Sequence, residues 1–287
     1  MMLERPHFGE RLAAALAAHG PLCLGIDPHP ELLAIWGQPD SADGARELGL
    51  RAVDAAAGTI GIVKPQVAFF ERHGAAGIAA LEVVIARARA AGLLVIADAK
   101  RGDIGSTMAG YAHAWLAVGS SLEADAMTVV AYQGIGSLAP ALALAEAAGK
   151  GLFVLAATSN PEAARIQSAV TADGATVAAA ILAETDALNR SVDDEGIGPF
   201  GVVVGATIDP AGFGLDLATA ASTPILAPGF GEQGARPEEL AARYGSASRR
   251  VVANVSRGAL RVGPDALAAE VAQLAERFAV ARAGAPA

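Results

Sequence analysis

The stretch Leu93-Leu94-Val95-Ile96-Ala97-Asp98-Ala99-Lys100-Arg101-Gly102-Asp103 joins a short apolar run to a cluster of charges. The apolar run predicts a buried strand. Because side chains alternate between the two faces of a strand, Asp98 and Lys100 are expected on the same face. Gly102 is expected to end the strand, and Asp103 lies just beyond it. Such charges are costly to bury unless they form a salt bridge or take part in chemistry, and both interpretations are open here.

Composition limits the class of protein. Of the 287 residues, 53% are hydrophobic and 5% are aromatic, which predicts an aliphatic core. The net charge of −9 argues against a general nucleic-acid binder, since such proteins neutralise phosphates with Lys and Arg. The single cysteine, Cys23, excludes an internal disulfide and a multi-cysteine metal site, and its apolar neighbours predict a packed core thiol.

Targeting signals are not evident in the sequence. Charged residues such as Glu4, Arg5 and Glu10 interrupt any signal peptide near the N-terminus. No uncharged apolar stretch reaches the roughly 18 residues that a membrane span needs. These patterns predict a soluble, cytoplasmic protein that binds neither nucleic acid nor membranes.

Short apolar runs alternate with longer Ala- and Leu-rich stretches of helical periodicity. The predicted strands are Leu22–Ile26, Ile60–Pro65, Leu93–Asp98, Ala126–Val130, Leu152–Thr158, Gly201–Gly205, Pro224–Ala227 and Val251–Val255. The predicted helices include Ala42–Ala57, Ala75–Ala90, Thr107–Val118, Leu138–Ala148, Val177–Arg190, Ala211–Ala220 and Pro264–Ala281. Alternation of this kind predicts a parallel sheet.

Eight strand–helix units at this length favour an α/β fold of the closed (β/α)8 or TIM-barrel type, with a doubly wound open sheet as the competitor. No Pro- or Ser-rich linker divides the chain, which predicts a single domain over residues 1–287. Within it we expect a helical lead-in at about 8–19 and a frayed tail at about 284–287.

Polar residues collect where the predicted strands end, which is where barrel enzymes carry their chemistry. These residues include Asp27, Lys64, Asp98, Lys100, Tyr132, Gln133, Thr158, Ser159, Asn160, Asn254, Ser256 and Arg257. One charged residue at a strand end is ordinary. Charges at the ends of the first, second, third and eighth strands together favour a site.

The loop after the seventh strand contains Gly229, Gly231 and Gly234 in the spacing G-x-G-x-x-G. A dinucleotide site is disfavoured because the loop falls late in the chain and no acidic residue ends the next strand. Loops after strands seven and eight of barrels commonly bind phosphate instead. Backbone N–H groups, the Gln233 amide and the Arg257 guanidinium are therefore candidate phosphate ligands. The polar stretch 232–250 is long enough to form a lid.

The cluster after the third strand favours proton delivery. Carboxylates beside Lys100 favour its ammonium form, whereas a Schiff-base lysine must be an uncharged amine. Asp98 beside it could crowd an anionic leaving group such as a substrate carboxylate. This arrangement indicates decarboxylation followed by protonation, with phosphate binding energy offsetting the strain.

Five segments together resemble the orotidine 5′-phosphate decarboxylase family, and the resemblance runs from Phe8 to about Gly263. They are Gly25-Ile26-Asp27-Pro28, Val63-Lys64-Pro65-Gln66, Asp98-x-Lys100-x-x-Asp103-Ile104, Pro228-Gly229-Phe230-Gly231-x-Gln233-Gly234 and Ser256-Arg257-Gly258. The glycine after Asp103-Ile104 resembles the longer bacterial (type 2) branch, since other branches carry proline there.

The resemblance implies conversion of orotidine 5′-phosphate to uridine 5′-phosphate and CO₂ in pyrimidine synthesis, without a cofactor or a metal. It implies that Lys100 protonates C6 of the pyrimidine once CO₂ has left. Asp98 would oppose the substrate carboxylate and orient Lys100. Lys64 and Asp27 would hold ribose hydroxyls.

The resemblance also implies an obligate homodimer. Asp103 and Ile104 would be contributed to the neighbouring subunit's site, and Thr107 would touch the ribose or pyrimidine across the interface. The remaining implied substrate contacts are Ser159 to the pyrimidine, Gln233 and Arg257 to the phosphate, and Pro228 in the same loop. One departure is Ala131, where the branch usually has proline before Tyr132.

Two rival functions remain at this point. A relative in the wider superfamily could decarboxylate a sugar phosphate or act as an aldol-type synthase, using a divalent metal to stabilise an enediolate. A barrel that binds a phosphorylated ligand without catalysis is the second rival. Sensitivity to a chelator would identify the first, and ligand binding without turnover would identify the second.

Overall fold

The eight apolar runs all form strands, which pair in parallel in chain order until the eighth pairs with the first. The computed structural model describes residues 6–192 and 196–284. The strands are β1 (Leu22–Ile26), β2 (Ile62–Pro65), β3 (Leu94–Arg101), β4 (Ala126–Val129), β5 (Gly151–Ala157), β6 (Phe200–Val204), β7 (Ile225–Pro228) and β8 (Val251–Val255). The fold is the predicted closed (β/α)8 barrel, and the open-sheet alternative is wrong.

Except between β6 and β7, α-helices carry the chain from the end of one strand to the start of the next, in the long crossovers that parallel pairing requires. They are α1 (Phe8–His19), α2 (Pro30–Ile35), α3 (Ala42–Ala56), α4 (Ala68–Glu71), α5 (Gly74–Ala90), α6 (Gly105–Leu116), α7 (Ala139–Ala148), α8 (Ala164–Gln167), α9 (Val177–Val192), α10 (Leu240–Tyr244), α11 (Arg257–Leu260) and α12 (Leu267–Ala283). Short 3₁₀ helices span Ile135–Leu138, Pro161–Ala163, Pro210–Phe213, Pro237–Glu239 and Gly245–Arg250. Of the tail at about 284–287, for which fraying is predicted, residues 285–287 lie outside the described residues.

The barrel interior is filled with apolar side chains at its N-terminal end. Phe8, Leu12 and Leu16 on α1 pack into the same cluster as strand residues that point inward. The rings of Phe8 and Phe153 meet edge to face, with centroids 6.0 Å apart. A side chain at Gly151 would collide with Phe8, since its Cβ would lie 2.3 Å from the ring. Helix α1 therefore closes this end of the barrel, and only the opposite, C-terminal end is open to a ligand.

The lone cysteine behaves as predicted. Cys23 on β1 is fully buried in the inner apolar cluster, and burial raises the pKa of its thiol to about 12. A thiol held protonated in this way is a packing group. Within 6–192 and 196–284, no helix has the length and apolar character required to cross a bilayer.

The predicted helix Ala211–Ala220 is wrong. The chain after β6 forms one 3₁₀ turn, Pro210–Phe213, and then Gly214 adopts a left-handed φ of 67°. Alanines in this stretch have high helix propensity, but a glycine in that conformation ends the turn. The segment then runs to β7 through turns.

The prediction of a lid over residues 232–250 is also wrong for most of that stretch. The segment 237–250 is built from a 3₁₀ turn, α10 and a second 3₁₀ turn, and it forms the packed connection between β7 and β8. Leu240 and Ala247 are buried, and the buried Tyr244 donates a hydrogen bond from its hydroxyl to the Val204 carbonyl at 3.2 Å. Burial of these side chains anchors the segment against the barrel.

Candidate active site

Asp98, at the open end of β3, is the centre of the site. Its Oδ2 accepts hydrogen bonds from Lys64 Nζ at 2.6 Å and from Gln66 Nε2 at 3.0 Å. Its Oδ1 accepts from Lys100 Nζ at 2.5 Å and from Thr128 Oγ1 at 2.9 Å. Four donors thus fill the acceptor sites of one carboxylate, and they come from β2, β3, β4 and the residue that follows β2.

The charges of this cluster hold one another ionised. Burial alone would raise the pKa of Asp98, but the nearby charges of Lys64 and Lys100 outweigh it and hold that pKa far below its ordinary value. Burial likewise would lower the pKa of Lys64, but the charges of Asp98 and Asp27 leave it well above its ordinary value. Asp98 is therefore a carboxylate, and Lys64 an ammonium, at neutral pH.

Lys100 has an unusual backbone conformation. Its φ is +47°, the left-handed region that favours glycine, and no other non-glycine residue in the described part of the chain has a positive φ. The register between β3 and β4 shifts between Ala97 and Arg101, so the ladder is interrupted where Lys100 lies. The Lys100 side chain still turns toward Asp98, as simple strand alternation predicts, but through a bulge instead of a regular strand.

The loop after β7 and the end of β5 form the opposite wall. Ser159 Oγ donates to Gln233 Oε1 at 3.2 Å, which joins these two segments across the opening. The N–H groups of Gly231 and Gly234 donate to carbonyls within the loop, at 2.8 and 2.9 Å. The prediction that backbone N–H groups of this loop bind phosphate is therefore wrong for these two groups. In the described part of the chain, no carboxylate pairs with the Arg257 guanidinium.

Three buried oxygens at the seam of β1 and β8 have no hydrogen-bond partner among the described residues. They are Asp27 Oδ1, Asn254 Oδ1 and Ser256 Oγ. Gly25 makes room for the second and third, since a Cβ there would lie 3.1 Å from Asn254 Oδ1 and 2.7 Å from Ser256 Cβ. Buried polar atoms rarely stay unpaired in a native protein, so this seam is suited to a ligand that brings hydrogen-bond donors.

A single cavity of about 410 Å³ at the C-terminal end of the barrel unites these walls. Eight of the residues predicted for the site line it, namely Asp27, Lys64, Asp98, Lys100, Ser159, Pro228, Gln233 and Arg257. The other polar residues that line it are Gln66, Thr128, Thr158, Asn160, Glu232, Asn254 and Ser256.

The other three predicted site residues lie outside this cavity. Asp103 accepts a hydrogen bond from the Ile104 N–H at 2.8 Å, so its carboxylate faces its own loop. Ile104 has 61% of its surface exposed, and Thr107 is exposed on the first turn of α6. Tyr132, at the end of the neighbouring β4, is 82% exposed.

Gln66 and Thr128 both bond to Asp98, and neither is among the predicted site residues. Gln66 belongs to the motif Val63-Lys64-Pro65-Gln66, and it directly follows β2 on the same rim as Lys64. Thr128 lies within a strand that reads as apolar, and only its register against β3 brings it to Asp98. A polar residue inside an otherwise apolar strand was the available signal.

The described ranges contain no group of three or more His, Cys, Asp or Glu side chains with the geometry to hold a metal ion. The carboxylate at the centre of the site has both oxygens occupied by cationic and neutral donors.

A closed barrel with a Lys–Asp–Lys array and an uncompensated arginine at the C-terminal mouth defines a (β/α)8-barrel enzyme that acts on a small anionic substrate. The family model described as "Orotidine 5′-phosphate decarboxylase / HUMPS family" matches residues 20–271. The chain belongs to this family.

Similar proteins cover nearly the whole chain. The orotidine 5′-phosphate decarboxylase of Streptomyces coelicolor is 51% identical over 274 residues, which cover 95% of this chain and 96% of that protein. The enzyme of the same name from Salinispora arenicola is 49% identical over 92% of this chain and 94% of its own length. A Streptomyces avermitilis protein crystallised as an orotidine 5′-phosphate decarboxylase superposes with a TM-score of 0.93, at 49% identity and 98% coverage of both chains. These relatives agree with the predicted bacterial branch.

Proposed function

We propose that the protein converts orotidine 5′-phosphate to uridine 5′-phosphate and CO₂, a step of pyrimidine nucleotide synthesis, in the cytoplasm. The observation that carries the proposal is the array of Lys64, Asp98 and Lys100 around one carboxylate at the open end of the barrel. Family membership and relatives of that name at 49–51% identity support the same substrate.

The phosphate end of the substrate fits the wall formed by the loops after β7 and β8. Arg257 supplies an uncompensated guanidinium, and Gln233 lines the same cavity. A guanidinium binds a phosphate dianion through charge-assisted hydrogen bonds. Ser159 bonds to Gln233 and is suited to contact the pyrimidine, and Pro228 lines the same wall.

The ribose fits the region between β1 and β2. Asp27 Oδ1 is buried without a partner, and the Lys64 ammonium lies in the same cavity. Ribose hydroxyls can donate to that oxygen and accept from the ammonium. A ligand that satisfies both groups is held firmly between the phosphate wall and Asp98.

Asp98 and Lys100 would carry out the reaction at the pyrimidine. The Asp98 carboxylate would oppose the substrate carboxylate, and this repulsion is relieved when CO₂ leaves. The bond from C6 to the carboxylate carbon breaks, and its electron pair stays on C6. The Lys100 ammonium then donates a proton to C6, which gives uridine 5′-phosphate, and the resulting amine takes a proton from solvent.

The proposal includes a homodimer in which Asp103 serves the partner's site. The carboxylate of Asp103 lies outside the cavity of its own chain. Ile104 and Tyr132 expose 61% and 82% of their surface at the rim where the chain leaves β3 and β4. Large exposed apolar side chains at one rim are typical of an interface, and a facing subunit would bring its own Asp103 and Thr107 to this mouth.

The metal-dependent rival is disfavoured by the donor set. An enediolate mechanism needs carboxylates free to hold a divalent cation, whereas two lysines take the oxygens of Asp98. The non-catalytic rival leaves the array of Lys64, Asp98 and Lys100 without a purpose, although the charges of Lys64 and Asp98 are costly to bury.

The deciding experiment is an ultraviolet assay of orotidine 5′-phosphate consumption by the purified protein in excess chelator. We expect rapid conversion to uridine 5′-phosphate, and added magnesium should not accelerate it. Uridine 5′-phosphate binding, measured in parallel, shows that the protein is folded. Binding of that nucleotide without turnover would contradict the proposal and favour the binding role, and turnover of a sugar phosphate that depends on magnesium would favour the other rival.

A further inference from the structure

Thr128 on β4 is a buried polar residue beside the reacting groups, with 1% of its surface exposed. Its Oγ1 accepts a hydrogen bond from the Lys100 backbone N–H at 2.9 Å. The same oxygen lies 2.9 Å from Asp98 Oδ1. Because an N–H can only donate and Asp98 is a carboxylate, the single hydroxyl proton of Thr128 must be given to Asp98.

We propose that Thr128 is a positioning residue for the proton donor, because its hydroxyl ties the strained main chain of Lys100 to the carboxylate that orients the Lys100 ammonium. The inference rests on the proposed function, in which Lys100 is the proton donor. It assigns to Thr128 a role in the chemical step and none in substrate binding.

The strained backbone needs such a tie. A left-handed φ is strained at a residue other than glycine and persists only where the surroundings enforce it. The register shift between β3 and β4 removes the regular ladder partner at this point, since pairing resumes at Arg101 and Val129. The Thr128 hydroxyl takes the place of that partner for the Lys100 N–H.

The tie also fixes the ammonium. Lys100 Nζ and Thr128 Oγ1 both donate to Asp98 Oδ1. The Lys100 side chain is thus bonded to this oxygen directly, and the Lys100 backbone N–H is linked to it through Thr128. Without the hydroxyl, the Lys100 N–H loses its acceptor, so the main chain at Lys100 is free to shift and to carry the ammonium off its position on Asp98 Oδ1. A proton donor displaced by about 1 Å can lose a large part of its effect.

Substrate binding depends on other elements. Arg257 and Gln233 belong to the segments after β8 and β7, on the wall opposite β4 in the barrel order. A change at Thr128 should therefore alter kcat and leave KM and product binding nearly unchanged. A purely structural role would instead lower stability and binding together.

The test compares Thr128→Val with Thr128→Ser. Valine has the same shape without the hydroxyl, and serine keeps the hydroxyl without the methyl group. We expect Thr128→Val to lower kcat by roughly 10- to 100-fold, the size of a lost hydrogen bond to a charged group, with KM within a few-fold of wild type. Thr128→Ser should stay within a few-fold of wild type in both.

A second readout does not depend on turnover. Hydrogen exchange at the Lys100 amide should accelerate in Thr128→Val and stay slow in Thr128→Ser, because only serine retains the acceptor. If the valine variant does not fold, Thr128→Cys replaces it, since a thiol of serine-like shape is a weak donor and acceptor. Cysteine should then show the loss of kcat that serine does not.

The outcomes separate the two proposals. Wild-type protein that binds uridine 5′-phosphate but does not consume orotidine 5′-phosphate overturns the proposed function itself. Active wild type together with an unchanged kcat in Thr128→Val, an equal loss in the Ser and Val variants, or a parallel rise in KM overturns only the positioning role.

Discussion

The chemistry of this site depends on which of its side chains already have hydrogen-bond or salt-bridge partners and which do not. Asp98 has every acceptor position filled, whereas Asp27 Oδ1 and the Arg257 guanidinium have no partner in the described ranges. The filled carboxylate keeps its geometry, and the unfilled groups await a ligand. The site is therefore divided into a preorganised reaction end and a receptive binding end.

Replacing Lys100 tests the reaction end. We expect Lys100→Ala to lower kcat by at least about 10²- to 10⁴-fold, the usual contribution of a positioned general acid. Affinity for uridine 5′-phosphate should survive, because Arg257 and Gln233 are untouched. Steady-state kinetics and product titration measure the two effects, and near-wild-type turnover would end the assignment of Lys100 as the proton donor.

Replacing Arg257 tests the binding end. Arg257→Ala should raise KM by about tenfold or more, because a charge-assisted contact with phosphate contributes about 1.5–3 kcal/mol. The control is Arg236→Ala in the connection between β7 and β8, whose guanidinium is exposed and pairs with Glu239 at 3.1 Å. Surface pairs of that kind contribute about 0–1 kcal/mol, so its KM should not change. Equal KM values for the two variants would contradict the phosphate role.

At the scale of elements, the charge cluster joins three neighbouring strands. Lys64 on β2 and Thr128 on β4 both bond to Asp98 on β3, so the cluster spans the strand ends where the ladder between β3 and β4 is irregular. Side-chain bonds thus replace some of the backbone bonds that the bulge removes. The bulge aims Lys100 into the cavity, and the cluster holds the bulge in place.

The cluster predicts a dependence of stability on pH. The pKa of Asp98 is lowered in the folded protein, so its contribution is present above the ordinary carboxyl pKa of about 4 and is lost as the pH falls below it. The pKa of Lys64 is raised, so its contribution is present below about 10.4 and is lost as the pH rises further. Urea unfolding of wild type and Lys64→Met at one protomer concentration measures this dependence.

The loss of unfolding free energy in Lys64→Met should be about 3 kcal/mol near pH 7, because the variant leaves a buried carboxylate with one lysine fewer. The loss should shrink below about pH 4 and above about pH 10.4. Arg51→Met, which removes an exposed pair with Glu47, serves as the control and should cost under about 1 kcal/mol. A loss for Lys64→Met that stays constant from pH 3 to pH 7 would show that the ion pair does not contribute as described.

At the scale of the whole molecule, the barrel is closed at one end and receptive at the other. Helix α1 fills the N-terminal end with Phe8, Leu12 and Leu16. The C-terminal rim carries the cavity together with the exposed Ile104 and Tyr132. A second subunit seated on this rim would cover apolar surface and complete the charge array at the same time.

Mixing two inactive variants tests whether sites are shared. A dimer of one Asp103→Ala chain and one Lys100→Ala chain has one site with native Lys100 and a native Asp103 from the other chain. Random exchange of equal amounts makes half of the dimers mixed, so about a quarter of wild-type activity should return. If exchange is proven by mass and no activity returns, Asp103 acts in the site of its own chain.

The sequence predicted the strand order and the rim, because both follow from local patterns. Apolar runs at regular spacing placed all eight strands to within a few residues, and polar residues at their ends marked the cavity. Local patterns failed where tertiary packing overrode them. The Ala211–Ala220 stretch has helical propensity but forms turns, and 237–250 reads as polar but anchors itself with Leu240 and Tyr244.

By itself, the sequence determined the barrel, its single domain and the set of charges at its mouth, since hydrophobic periodicity and chain order specify parallel strand–helix units. Only the tertiary structure decided how those charges are used. The register of β3 against β4 brings Thr128 to Asp98 and gives Lys100 its positive φ, and barrel closure brings β8 beside β1 to create the seam of unpaired oxygens. These contacts join residues distant in sequence, and they exist only after the strands have paired and the sheet has closed.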